Sequence, residues 1–192
     1  MSEKFNYDKI YSENEVIFGG GKPEKVVKDI LNYRNSGSVL ELGAGEGRNS
    51  LFLAQNGFEV TAQDMSIIGI GKINKQSREK GLSVKTEIGD VRKLNLDKNF
   101  DVLLSTFMLH HLTRKEALEL IKSLKKHTNI EGLNAITAFT KNGDFFRNKS
   151  KNNNFYLDKD ELKNIYSDWE ILEYEESKGN AFAKKPDGNQ MT

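Results

Sequence analysis

The run Glu41-Leu42-Gly43-Ala44-Gly45-Glu46-Gly47-Arg48-Asn49 leads out of a short apolar stretch into a helical pattern. Glycines at a strand-to-helix turn let backbone approach a ligand closely, with helix N–H groups aimed at it. The spacing is G-x-G-x-G, whereas a dinucleotide fingerprint, G-x-G-x-x-G, needs its last glycine at position 48. Arg48 stands there, and a side chain at that point hinders the close helix–strand packing of the dinucleotide pattern. A cation in the first turn of a helix opposes its dipole by ~0.3–1 kcal/mol. An anion must compensate it: a ligand carboxylate, a substrate, or a neighbouring acid such as Glu46 or Glu41. The reading favours the ligand site over a local ion pair, and a ligand over an empty glycine turn.

Three further positions fall where a ligand crevice would lie. Asp64 follows Gly45 by 19 residues at the end of a second apolar run. There it suits a carboxylate accepting two ribose hydroxyls; the alternative, capping the next helix, is a task that Ser66 can take instead. Asp90, with Val91 behind it, ends a third run and is placed to accept from an adenine amino group, although Gly-Asp is also ordinary turn chemistry. Ser105 and Thr106 end a fourth run and can hydrogen-bond a ligand, with Phe107 and Met108 beside them; Met108 and Leu109 read as core. His110 and His111 suit a base or a bond to a backbone carbonyl equally well, so no catalytic residue is assigned.

The elements that must hold these residues follow from periodicity. Pro23 starts a helix with Val26, Val27, Ile30 and Leu31 on one face. Strands are expected over Val39–Leu42, Phe58–Asp64, Val84–Ile88, Phe100–Thr106, Leu133–Phe139 and Trp169–Tyr174. Helices lie between them. One runs through Leu51 to Leu53 and closes at Asn56-Gly57. A weaker one covers Ser66–Lys80 and carries Gly69 and Gly71 at ~1 kcal/mol each relative to Ala. Thr113 with Glu116, and Asp158 with Glu161, form capping boxes for two more. Residues 141–154 read as a loop, and residues 1–21 as a flexible arm before a single domain over 22–192. Alternating strands and helices argue for an α/β, doubly wound, mostly parallel sheet. Pro186-Asp187-Gly188-Asn189 is a turn signal with only three residues after it.

Composition narrows the chemistry. The 192 residues carry 29 Lys+Arg against 28 Asp+Glu, three His and no Cys. Disulfides, thiolate metal sites and a Cys nucleophile are excluded, and no metal site is expected. The net charge of +1 gives no case for gripping nucleic acid. No apolar stretch approaches the ~20 residues of a membrane span. A small-molecule substrate and a cytoplasmic placement are the expectations.

The stretch VLELGAGEGRNSLFLAQNGFEVTAQD, residues 39–64, with FDVLLSTFMLHHL at 100–112, resembles the class I S-adenosylmethionine-dependent methyltransferases. Its GRNSLFLA…NGFEV…D wording is most similar to the tellurite-resistance methyltransferase family, a likeness that extends from about residue 36 through 155–177. The resemblance implies a Rossmann-like methyltransferase fold of strand order 3-2-1-4-5-7-6, with the seventh strand missing here. It implies S-adenosyl-L-methionine as cofactor. Glu41, Gly43, Ala44, Gly45, Arg48 and Asn49 would lie at its methionine end, Asp64 and Met65 at the ribose, Asp90 and Val91 at the adenine, and Ser105 and Thr106 would close the site. The methyl acceptor would enter beneath the N-terminal arm and the final loop. That loop carries a His-Arg pair in the family; here Gly179 to Lys185 reads GNAFAKK.

Methyl transfer to tellurite needs no deprotonation, because tellurium offers a lone pair. Cations near the pocket would help with the anion, and Arg48, Arg147, Lys184 and Lys185 are the candidates. A thiopurine, thiol or organic acid as acceptor, or a catalytically silent cofactor-binding protein, are the alternatives.

Overall fold

The computed structural model describes residues 6–14, 18–149 and 154–178. Its centre is a five-stranded parallel sheet in the order β3-β2-β1-β4-β5. The strands are β1 (Gly37–Leu42), β2 (Phe58–Asp64), β3 (Val84–Ile88), β4 (Phe100–Thr106) and β5 (Thr128–Thr137). The helices are α1 (Tyr7–Glu13), α2 (Lys25–Asp29), α3 (Arg48–Gln55), α4 (Ile67–Glu79), α5 (Arg114–Lys126), α6 (Asp144–Lys149) and α7 (Glu161–Ile165).

The apolar character of β1, β2 and β4 follows from burial on both faces. Val39 lies in register with Val60 on one side and Val102 on the other. With Phe58, Leu104 and Ala135 they pack against Val27 and Ile30, at the end of α2, and Leu53 of α3. Leu40 and Leu103, which the pleat turns to the opposite face, are also buried. The consequence for function is that β1, β2 and β4 deliver Leu42, Asp64 and Thr106 to one edge of the sheet.

Four expectations are corrected. Tyr7–Glu13 is a helix rather than a flexible arm: Asn6 caps it by accepting from the Lys9 N–H, and Tyr11 is buried. The fifth strand starts at Thr128 rather than Leu133, because the chain makes an irregular step at Glu131, φ 60°, and Thr128 still pairs with Phe100. The loop over 141–154 contains α6. Trp169–Tyr174 forms no strand. In the expected order that strand would reach the sheet through a seventh, and among the described residues none lies beside β5 to provide it a ladder. The turn signal at 186–189 and the 179–185 stretch lie outside the described residues.

The described residues divide between two compact units, one within Met1–Met108 and Leu118–Thr137, the other within Leu109–Ala117 and Ala138–Thr192. In the second unit the Thr113–Glu116 capping box forms: the Thr113 N–H donates to Glu116 Oε2 at 2.8 Å and the Glu116 N–H to Thr113 Oγ1 at 3.4 Å. The expected Asp158–Glu161 box is only half made: the Asp158 N–H donates to Glu161 Oε2 at 2.8 Å, but the Glu161 N–H bonds the Asp158 carbonyl and the cap position is Asp160, whose side chain makes no capping bond. Glu161 also accepts from Arg114, and the His110 ring stands edge-on to Phe139 and Phe145, which stack at 4.4 Å. Among the described residues no helix is long and apolar enough to cross a membrane.

The two glycines of α4 have opposite roles. A Cβ at Gly69 would fall 2.5 Å from the Gly45 carbonyl oxygen, so the helix and the glycine loop meet there without room for a methyl group. A Cβ at Gly71 would meet nothing within 4 Å. Gly71→Ala is therefore expected to stabilise by up to ~1 kcal/mol through helix propensity. Gly69→Ala is expected to lower the melting temperature despite the same propensity gain. Thermal unfolding of the two variants side by side tests this, and equal behaviour would refute it.

Candidate functional site

The turn from β1 into α3 has Gly43, Gly45 and Gly47 at φ 74°, 59° and 86°. Its floor is β2: the Gly43 and Ala44 N–H groups both donate to the Gln63 carbonyl, at 2.9 and 3.0 Å. Asp64 then reaches across. Its Oδ2 accepts from the Gly45 N–H at 2.8 Å and its Oδ1 from the Ser66 N–H at 2.8 Å. Ser66 caps α4 by accepting from the Gly69 N–H, so Asp64 is free of that duty and instead clamps the glycine loop. Burial raises its pKa above the usual carboxylate range, against the lowering effect of those N–H donors. Each carboxylate oxygen has a second lone pair available.

The glycines are also fitted by the protein itself. A Cβ at Gly45 would lie 2.6 Å from the Tyr11 hydroxyl, and one at Gly43 2.6 Å from Met108 Cγ. Thus α1 covers the loop. Its Asp8 accepts from the Ser66 hydroxyl at 2.5 Å and from the Ile68 N–H at 3.2 Å. Tyr7 and Tyr11 are near enough to Asp64 that its charge, after burial, raises the pKa of both phenols, Tyr7 to about 12.

Behind the loop lies a buried polar cluster. Glu41 Oε1 accepts from Asn49 Nδ2 at 2.8 Å and Oε2 from the Ser50 hydroxyl at 2.5 Å. Asn49 Nδ2 also donates to Thr106 Oγ1 at 3.0 Å, and its carbonyl accepts from the Glu24 N–H at 3.0 Å. Burial pushes the Glu41 carboxyl up to about 7, opposed by the donors from Ser50 and Asn49. This cluster joins β1, α3 and β4.

Other expected positions are placed as follows. Arg48 pairs with Glu24, an acid that spacing did not single out, and donates to the Lys22 carbonyl at 3.3 Å. Ala44 points into a small core with Ala62, Ile70 and Ile73. Asp90 caps the turn Val91–Lys93 and receives Arg92 on both oxygens, which lowers its pKa. Ser105 is fully buried, and its hydroxyl has no hydrogen-bond partner among the described residues. Met65 is 58% exposed, beside Ile67 at 61% and Ile88 at 59%; Ile88 pairs in register with Asp64. Arg147 lies 3.6 Å from Asp144, and Lys184 and Lys185 lie outside the described residues. No cluster of metal-binding type occurs among the described residues.

Sequence reasoning missed Tyr7, Asp8 and Tyr11, Glu24, Ser50 and Ile88. Tyr7 and Tyr11, four apart with Asp8 between them, were a legible helical signal in the arm. The Arg48–Glu24 pair spans 24 positions and had no local signature.

Comparison with known proteins adds the kinship. A family model described as tellurite resistance protein TehB matches residues 7–192. The chain is 35% identical over 165 residues to "Probable S-adenosyl-L-methionine-dependent methyltransferase TehB" of Haemophilus influenzae, covering 86% of this chain and 57% of that protein. It is 29% identical over 114 residues to phosphoethanolamine N-methyltransferase 3 of Arabidopsis thaliana, covering 58% of this chain and 23% of that protein. The crystal structure of TehB from Haemophilus influenzae matches with a TM-score of 0.77 and 28% identity, over 96% of this chain and 63% of that one. The chain thus spans little more than half the length of its curated TehB relative, and its sheet has the Rossmann-like methyltransferase fold. With the family model running from the first described helix to the last residue of the sequence, the chain belongs to the TehB tellurite resistance family.

Proposed function

We propose that this chain is an S-adenosyl-L-methionine-dependent methyltransferase acting on a small soft acceptor, with tellurite the favoured one. The observation that carries the reading is Asp64 clamping Gly45 at the carboxyl ends of β1 and β2, where open parallel sheets take nucleotide-like ligands. The donor set fits the cofactor. Asp64 keeps lone pairs for two ribose hydroxyls. Met65, Ile67 and Ile88, with Val91, offer an apolar shelf for adenine, and Asp90 stands beside it. Glu41, Asn49 and Thr106 brace the loop from behind, and Arg48 ties the start of α3 to Glu24.

The bound cofactor supplies a methyl group on a positively charged sulfur. The chain's part is to hold donor and acceptor in line and to exclude water. Thr106, fixed by Asn49, stiffens the end of β4 beneath the transfer site, and α1 shields the glycine loop. Tellurite carries its own nucleophilic lone pair, so no residue is asked to remove a proton. The family description supports tellurite; the name of a phosphoethanolamine N-methyltransferase among the relatives supports a nitrogen acceptor as second reading.

The test is S-adenosylhomocysteine formation by the purified chain with tellurite, with phosphoethanolamine and with neither. Product that depends on tellurite is the expected result. Product with phosphoethanolamine alone would overturn the acceptor, and failure to bind S-adenosylhomocysteine at all would overturn the cofactor.

A further inference from the structure

A carboxylate taken out of water needs a cation beside it, or it takes a proton and gives up its charge. Glu41 is 1% exposed, and its oxygens accept only from neutral donors, Asn49 Nδ2 at 2.8 Å and the Ser50 hydroxyl at 2.5 Å. Burial pushes its pKa up to about 7, so a change in nearby charge moves it between its two forms at neutral pH.

The charged groups around it are engaged elsewhere. On α3, Arg48 draws the Glu41 pKa down but bonds Glu24. In the glycine loop, Glu46 pairs with Lys72 at 3.5 Å. On β2, Asp64 pushes the Glu41 pKa up, and it accepts from the backbone N–H groups of Gly45 and Ser66. From β4 comes the neutral Thr106, which shares the Asn49 amide with Glu41 and lies 3.0 Å from it. Among the described residues, then, no cation bonds this buried carboxyl, and it sits behind the loop where the methyltransferase reading places a cationic ligand.

The reaction changes that charge. Methyl transfer breaks the bond between sulfur and the methyl carbon, leaves the electron pair on sulfur, and joins the methyl group to the acceptor's lone pair. A sulfonium becomes a neutral thioether, so the site loses one positive charge. Behind a loop of low dielectric, a carboxyl without a counter-ion feels such a loss strongly. We propose that Glu41 reads the charge on the donor's sulfur: it is ionised while the sulfonium is bound and takes up a proton from solvent once the thioether remains. The inference rests on the methyltransferase reading and makes Glu41 a residue that favours donor over spent product without touching either.

Infrared difference spectroscopy tests this, because a protonated carboxyl has a carbonyl stretch that a carboxylate lacks. The full chain is measured at pH 7 alone, with S-adenosylmethionine and with S-adenosylhomocysteine, whose own carboxyl groups are ionised there. The expected result is a protonated-carboxyl band with S-adenosylhomocysteine that falls at least ~3-fold with S-adenosylmethionine. In Glu41→Gln, which has no proton to exchange, the band is expected to be missing from every state. Equal bands with the two ligands would overturn the proposal. So would a band lost with both relative to the free chain, which would tie Glu41 to the amino-acid end they share. A ligand-dependent band that survives in Glu41→Gln would belong to another carboxyl, such as Asp64, and would overturn it as well. The first two outcomes are read on the unsubstituted chain and stand even where the variant does not fold. If calorimetry finds neither ligand bound, the methyltransferase reading fails and this inference with it, a result distinct from equal bands with both ligands bound.

Discussion

Glu41→Ala is expected to destabilise the chain by about 3–5 kcal/mol near pH 6, which for a chain of this size lowers the melting temperature by roughly 6–20 °C. The variant leaves the Asn49 amide and the Ser50 hydroxyl buried without the acceptor they share, and opens a void between β1 and α3. The effect depends on pH with a definite sign. Because the folded-state pKa is raised to about 7, the fold holds this proton more tightly than the unfolded chain does. Stability from this group is therefore complete below the ordinary carboxylate range and falls as pH rises from there to about 7, by about 3 kcal/mol in all. Glu41→Gln, which cannot ionise, is expected to flatten that slope. Melting curves at pH 5, 6, 7 and 8 decide it; a slope retained in the Gln variant would show that some other group carries the dependence.

The second large effect is at Asp64. Replacing it with Ala strands the Gly45 and Ser66 N–H groups and removes the carboxylate proposed for the ribose. Loss of two hydrogen bonds to a charged acceptor predicts at least ~100-fold weaker binding of S-adenosylhomocysteine. Acid should mimic the substitution. Since burial holds the Asp64 pKa above the usual range, affinity should decline on acidification at a higher pH than an exposed aspartate would allow. Calorimetry of the variant and of the unsubstituted chain across pH 4.5 to 7 measures both; unchanged affinity in the Ala variant would remove Asp64 from the site.

What the sequence disclosed was what short-range pattern governs. Four of the strands lie close to where the sequence pattern placed them; for β1, β2 and β4 the reason is that a strand buried on both faces has little choice of residue. The Thr113–Glu116 box and the Ser66 cap were legible for the same reason: each is complete within three positions. Asp64 was legible through its distance from the glycines. Pairings across long separations were not. Arg48 meets Glu24, and Tyr11 meets Gly45, through the packing of α1 and α2 on the sheet. Residues 169–174 looked like a strand because alternation reports a half-apolar surface; whether a ladder exists depends on a neighbour that no local pattern reveals. Gly69 shows the same limit, since propensity priced it as a weak helix residue while its real constraint is the Gly45 carbonyl.

The docked helix α1 also sets an order on events during synthesis. Seven residues are too few to stay helical alone in water, so α1 depends on what it touches. Those partners, Ser66 and Ile68, lie 58 and 60 residues further along the chain. At about 5–20 residues per second the ribosome needs roughly 3–12 s to supply them. A helix translated ahead of the whole sheet thus settles only after β2 and the start of α4 have emerged, and the glycine loop gains its cover with it.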